Sequence, residues 1–172
     1  MSKNKNKKKH NHPHRARAHA APELPKFWRP KLSEKQKLDC QLVHWDLITR
    51  FTCGTADGAD LWDWMETGFT YRKFMDLLTE DGVEFTPEAS AAIAAQLAIY
   101  EDIAHRFART GRAGFNGPEL QIAQAAAAVF DELVQLDRHG FARTAALWSI
   151  QQMAALLKRA GGSYEMTAAE AR

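Results

Sequence analysis

Cysteine is scarce in this chain of 172 residues: there are two, Cys40 and Cys53. That is too few for a disulfide scaffold, no C-x-x-C pair is present, and a reducing compartment fits. If both lie on the first helix they stand about 20 Å apart at about 1.5 Å per residue and cannot bridge each other. Long apolar runs are also missing. The least polar stretch, Ala123 to Phe130, is short and interrupted by Gln124, well below the roughly 18 residues that a membrane span needs. The positive start has no apolar segment behind it, because Pro13, His14 and Arg15 follow, so no secretion signal is expected. Sustained alternation of β-branched residues is absent, so no sheet is expected. These absences predict a soluble cytoplasmic protein with no membrane partner.

The formal net charge is +2, but its sources are segregated along the chain. Residues 1–37 carry nine Lys and three Arg against Glu23 and Glu34, a balance of +10. Residues 38–172 carry 11 basic side chains against 19 acids, a balance of −8. Residues 1–20 alone hold five Lys, two Arg and four His without an acid. Such a segment has too little apolar surface to offset its ordering entropy, and disorder is expected there. Pro22, Pro25 and Pro30 then favour an extended linker over residues 21–32. Phe27 and Trp28 interrupt it, either pinning the linker to the folded body or forming a short sticky motif, with pinning the simpler reading.

From Ser33 onward, five helices are predicted. Ser33 and Gln36 form a capping-box pattern. Leu38, Leu42, Trp45, Ile48 and Phe51 then recur on one face, and Gly54 stops the helix. A second helical region covers about Ala59 to Thr79, with Gly68 between Thr67 and Thr70 as an expected break. Thr86-Pro87-Glu88 starts a third helix running to about Arg109. Its expected inner face is Ile93, Leu97, Tyr100, Ala104 and Phe107. Asn116-Gly117-Pro118-Glu119 starts a fourth, with Leu120, Ala123, Ala127, Phe130 and Val134 inward. A fifth spans about Ala142 to Ala160, with Leu147, Ile150, Ala154 and Leu157 in register and Gly161-Gly162 as its end. The alanines at 91, 92, 94, 95 and 125–128 favour close packing of helices three and four. The expected fold is all-α: one bundle of about five amphipathic helices over residues 33–162. A disordered basic tail and linker, 1–32, precede it, and a flexible C-terminus, 163–172, follows. The echo of His105–Thr110 in His139–Thr144 falls at one helix end and one helix start, has no third copy, and is read as coincidence.

Few constellations suggest chemistry. Cys40 and His44 share a helix face at i, i+4, but neither further metal ligands nor an oxyanion hole accompany them, so Cys40 is read as structural. His10, His12 and His14 alternate and could chelate a metal adventitiously. The Thr110–Gly117 loop is rich in glycine yet lacks the strand and the Lys-Ser or Lys-Thr of a phosphate-binding loop. Arg106, Arg109 and Arg112 lead into it. They complement a helix end in the simpler reading and form an anion or partner site in the other. The abundant acids read as a solvated face, with Asp57 or Asp60 as a helix cap. Trp62 and Trp64 are two apart on a helix and cannot both face inward. Phe74 to Ile93 has a helix-turn-helix rhythm, but its second helix opens Thr-Pro-Glu-Ala-Ser-Ala-Ala and offers nothing to read base edges.

Several short motifs resemble a group of small helical proteins from proteobacterial prophages and mobile elements. They are KKKHNHPHRARAH, Leu61-Trp62, Glu80-Asp81-Gly82, Arg109-Thr110-Gly111-Arg112 and Gly117-Pro118-Glu119-Leu120. The resemblance implies a bacterial mobile-element setting and carries no activity or catalytic residue.

The functional expectation is a non-enzymatic accessory or regulatory protein without cofactor or metal. Lys3, Lys5, Lys7, Lys8, Lys9, Arg15 and Arg17 would contact nucleic acid or another acidic surface. The bundle would bind a protein partner, with Arg109, Arg112, Phe115, Trp62 and Trp64 as the candidate surface. The alternative is a protein-only inhibitor or adaptor, for example in anti-defence, whose tail is merely solubilising. Oligomeric state is left open.

Overall fold

In the computed structural model, residues 30–159 are described. The lysines and arginines of the basic tail, the tail histidines, Phe27 and Trp28 lie outside them, as does the C-terminal segment from residue 160. Five helices make up the described residues: α1 (Glu34–Cys53), α2 (Gly58–Glu80), α3 (Pro87–Thr110), α4 (Gly117–Gln135) and α5 (Phe141–Arg159). No strand accompanies them among the described residues, apart from an isolated antiparallel bridge between Ala56 and Ala113. The all-α bundle expected from the sequence is the fold.

Side chains placed at the helix starts satisfy amides that would otherwise have no partner. Ser33 accepts from the N–H of Gln36, and the Gln36 side chain returns to Ser33. Asp57 and Asp60 do the same for α2, and Asn116 and Glu119 for α4. Thr86 caps α3 ahead of Pro87. At α5 the role falls to Asp137. Its Oδ1 accepts from the N–H of Phe141 at 2.9 Å, while Oδ2 accepts from the N–H of Leu32 at 2.8 Å. One buried carboxylate therefore holds the start of α5 and the approach to α1 together.

The largest packing contacts join α2 to α5, with α2–α3, α3–α4 and α1–α4 next, whereas α1 meets α2 only lightly. The core has two parts. One gathers Leu47, Phe51, Leu61, Trp64, Ile103 and Ala123 beside the α1–α2 and α3–α4 loops. The other gathers Phe74, Leu78, Ile93, Phe130, Leu133 and Phe141 at the opposite end.

Four expected features are corrected. First, Gly68 does not break α2, which is continuous. A Cβ at Gly68 would lie 2.2 Å from Gln96 Oε1 and 2.5 Å from Leu97 Cδ2, so its small size sets the α2–α3 distance. Second, Leu38 and Leu42 do not face inward but are 53% and 58% exposed. The buried line of α1 is His44, Leu47, Ile48 and Phe51. A polar His44 occupies the line because it finds partners there, and hydrophobicity alone points to the neighbouring Leu38–Leu42–Trp45 flank. Third, α5 buries Phe141, Ala145, Ser149 and Met153 rather than Leu147, Ile150, Ala154 and Leu157. Small residues let α5 approach α2 until Ser149 Oγ and Thr70 Oγ1 are 2.6 Å apart, and the bulkier leucines stay on the flanks. In α3 the buried line likewise shifts to Ile93, Gln96, Ile99 and Ile103.

Candidate functional site

Two features stand out once the bundle is assembled: a corner rich in arginine and a cleft beside α1. The corner forms where α1 and α3 end next to each other. Gly54 and Gly111 terminate them, both with φ 68°, the left-handed conformation that glycine adopts without strain. The loop after α3 is fixed from several sides. Arg106 places both terminal nitrogens on the Glu119 carboxylate, at 2.5 and 2.9 Å, and also donates to the carbonyl of Gly114. Glu119 accepts from the N–H of Asn116 at 2.8 Å as well, so the same carboxylate completes the α4 cap. Burial alone would raise the Glu119 pKa, but the Arg106 hydrogen bonds, the Asn116 amide and the Arg106 charge together hold it below the ordinary carboxylate value. The Arg106 guanidinium is correspondingly pushed up by its hydrogen bond to Glu119.

Arg109 and Arg112 are exposed on this corner, beside an open depression of about 770 Å³. Phe115 is only half-buried but stacks on Phe51 at 4.9 Å between ring centroids and meets the edge of Trp64 at 5.1 Å. It anchors the loop to the core. Trp64 is 2% exposed and its indole N–H donates to the Gln96 carbonyl, so it belongs to the core and not to a partner surface. Trp62 is half-buried. The candidate partner surface therefore reduces to Arg109 and Arg112 on a rigid base, with Trp62 and Phe115 contributing only partly exposed faces.

The second feature is a cleft of about 510 Å³ between α1, α2 and α5, with buried Leu47, Phe74 and Val134 at its floor and exposed Val43 at its edge. His44 sits in its wall, 3% exposed. Its Nε2 is 3.0 Å from Asp131 Oδ1 and its Nδ1 is 3.4 Å from the Tyr71 hydroxyl. A neutral imidazole satisfies both: Nε2–H donates to the carboxylate and Nδ1 accepts from the phenol. The adjacent Trp45 donates its indole N–H to Asp131 Oδ2 at 3.0 Å. Burial lowers the His44 pKa below 6.5, against the raising effect of Asp131. Cys40 also lines the cleft, and burial raises its thiol pKa, reinforced by the negative charges of Asp39 and Asp137. A thiol kept protonated is a poor nucleophile. With its Nδ1 already engaged by Tyr71, His44 joins α1 to α2 and α4 rather than activating sulfur.

Compared with known proteins, the chain matches no family model, no curated protein and no solved structure. Among the described residues no group of three or more His, Cys, Asp or Glu side chains is arranged to hold a metal ion. No described helix is long and apolar enough to cross a membrane. The residues that sequence reasoning missed are Asp131, Tyr71 and Asp137. Their pairings span 27 to 105 positions, and no local spacing announces them.

Proposed function

We propose that this is a non-enzymatic accessory protein that binds two things at once. The segment before Pro30 supplies a polycationic arm for nucleic acid or another polyanion, and the helical body docks on a protein partner through the Arg109–Arg112 corner. The observation that carries the reading is charge segregation: +10 over residues 1–37 and −8 over the rest. An acidic body disfavours nucleic acid, so the arm must carry that affinity. Its seven basic residues before Ala20 displace counterions from phosphates, giving binding that is indifferent to sequence and steep in salt. The rigid arginine corner supports the second contact, because a side chain presented from a fixed loop loses less freedom on binding. A cytoplasmic, mobile-element setting belongs to the same reading and rests on the short motif resemblances alone.

A gel-shift titration against salt tests the arm. Full-length protein should show a log–log slope of up to about −6, from seven cations at about 0.9 each. Removal of residues 1–20 should abolish binding, and unchanged binding by the shortened chain would refute the assignment. Nuclease-treated pull-downs with the full and shortened chains test the body. A protein retained by both, and lost with Arg109→Glu/Arg112→Glu, supports the corner. If the body retains such a protein while the arm binds no polyanion, the inhibitor or adaptor reading takes its place.

A further inference from the structure

We propose that the outer face of α1 pairs with the same face of a second copy of this chain, the two helices running antiparallel about a twofold axis near Leu42. The first ground is where the body leaves apolar surface open. Among the described residues, every large apolar side chain that is exposed lies on α1 or α5, and Leu38, Leu42, Val43 and Trp45 fall within two turns of α1. Val43 stands apart, towards the cleft. Leu38, Leu42 and Trp45 are spaced by 4 and 3, which puts them within about 60° of arc at 3.6 residues per turn. That is the spacing by which one helix meets another along a seam. The stripe lies across the helix from the buried line of His44, Leu47, Ile48 and Phe51, so the packing of α1 on α4 and α2 leaves it in water. Trp45 is already held by its indole N–H on Asp131 Oδ2 at 3.0 Å, so its open face loses little freedom on burial.

The second ground is that the stripe complements itself. A twofold axis through its middle sets Leu38 against Trp45 of the second copy, sets Leu42 close to its own equivalent, and brings like flanks together. Lys35 and Asp46 share one flank, about 20° apart around the helix, at opposite ends of the stripe. In the pair, Lys35 of each copy comes level with Asp46 of the other to within about 3 Å along the axis, at about 1.5 Å per residue. Both side chains are exposed and sit in pairs within α1, Lys35 with Asp39 at 2.6 Å and Asp46 with Arg50 at 3.1 Å. Those pairs are kept, because an ammonium has three donors and a carboxylate two oxygens. Dimerisation links them into a row of alternating charge, Asp39–Lys35–Asp46–Arg50, once on each side of the twofold axis. A parallel pair would instead bring Lys35 level with Lys35. The stripe and its flank cover about three turns of one helix, short of the 20–30 residues a side of a standard interface. The dimer is therefore weak, with a dissociation constant of about 10–100 µM. It uses neither the arginine corner nor the segment before Pro30, and so does not rest on the function proposed above.

Sedimentation velocity on the full-length chain tests the pairing. The mean mass should rise from one chain to two with a midpoint at about 10–100 µM, and a chain that stays monomeric well above that range overturns the proposal. Leu38→Glu/Leu42→Glu should weaken the dimer at least about tenfold. The helical content and thermal midpoint of the dilute chain should not change, since both leucines are exposed in the single chain. A dimer indifferent to this change, formed through another face or through the terminal segments, overturns the proposal as well. Lys35→Glu and Asp46→Lys should each weaken the dimer by about threefold, and the two together should restore it. Without that restoration the antiparallel pairing is refuted.

Discussion

Replacing Gly68 by alanine sets two opposed effects against each other inside α2. In an isolated helix the change is favourable by about 1 kcal/mol, because glycine loses more backbone freedom. In this bundle the new Cβ would stand 2.2 Å from Gln96 Oε1, 2.5 Å from Leu97 Cδ2 and 2.9 Å from Leu97 Cγ. Leucine can rotate, but Gln96 is fully buried and its Nε2 donates to the Trp64 carbonyl at 2.9 Å. Moving it breaks that bond and leaves buried polar atoms unsatisfied, at about 1–3 kcal/mol, on top of the 1–3 kcal/mol typical of overpacking. The clash wins, and a net loss of about 2–3 kcal/mol is expected. At about 4 °C per kcal/mol for a body of this size, the thermal midpoint should fall by about 8–12 °C. Urea unfolding should show a lower midpoint with an unchanged slope. Gly58→Ala is the matched control, since its Cβ meets the Phe107 ring at 3.7 Å, an ordinary contact. It should be neutral or stabilising by up to about 1 kcal/mol. Combining Gly68→Ala with Gln96→Ala should cost less than the two single losses summed, because the first obstacle is gone. If Gly68→Ala is as stable as the wild type, α2 and α3 do not approach as closely as described, and the argument fails.

His44 should make stability dependent on pH. Burial holds its pKa below the ordinary 6.5, so the unfolded chain takes up the proton first. Stability should be full above pH 6.5 and fall below it by up to about 1.4 kcal/mol per pH unit until the folded pKa is reached, and His44→Gln should flatten that part of a urea-midpoint profile. Glu119→Ala removes the Arg106 partner and half of the α4 capping box, and calorimetry should show a loss of about 2–4 kcal/mol. Asp137→Ala leaves the amides of Leu32, Phe141 and Ala142 without their acceptor. It should cost about 2 kcal/mol and speed hydrogen exchange at Phe141 and Leu32 above all other amides.

Helix boundaries were legible in the sequence because capping is local chemistry. Ser33–Gln36, Thr86-Pro87 and Asn116–Glu119 each act within four residues. Inward faces were less legible. In α4, apolar and buried residues largely agree: Ala123, Ala127, Phe130 and Val134 lie inward as expected, while Leu120 is half-buried and the capping Glu119 is buried. In α1 and α5 they diverge, because the buried lines include His44 and Ser149, whose partners come from other helices. Gly68 reads as a helix breaker in isolation, and only the presence of Gln96 and Leu97 shows it to be a spacer. The site followed the same pattern. Arg109, Arg112 and Phe115 were found from a loop rich in arginine with one apolar residue. The Tyr71–His44–Asp131 chain joins three helices and has no signature in any one of them.

The attachment of Leu32 to Asp137 fixes the point at which the chain enters the bundle. The arginine corner lies at the opposite end of α1, a helix of 20 residues and therefore about 30 Å long. At physiological salt that is between three and four screening lengths of about 8 Å. Substitutions at the corner and substitutions close to Leu32 should thus be electrostatically deaf to each other, and any coupling between them must travel through the packing of α1.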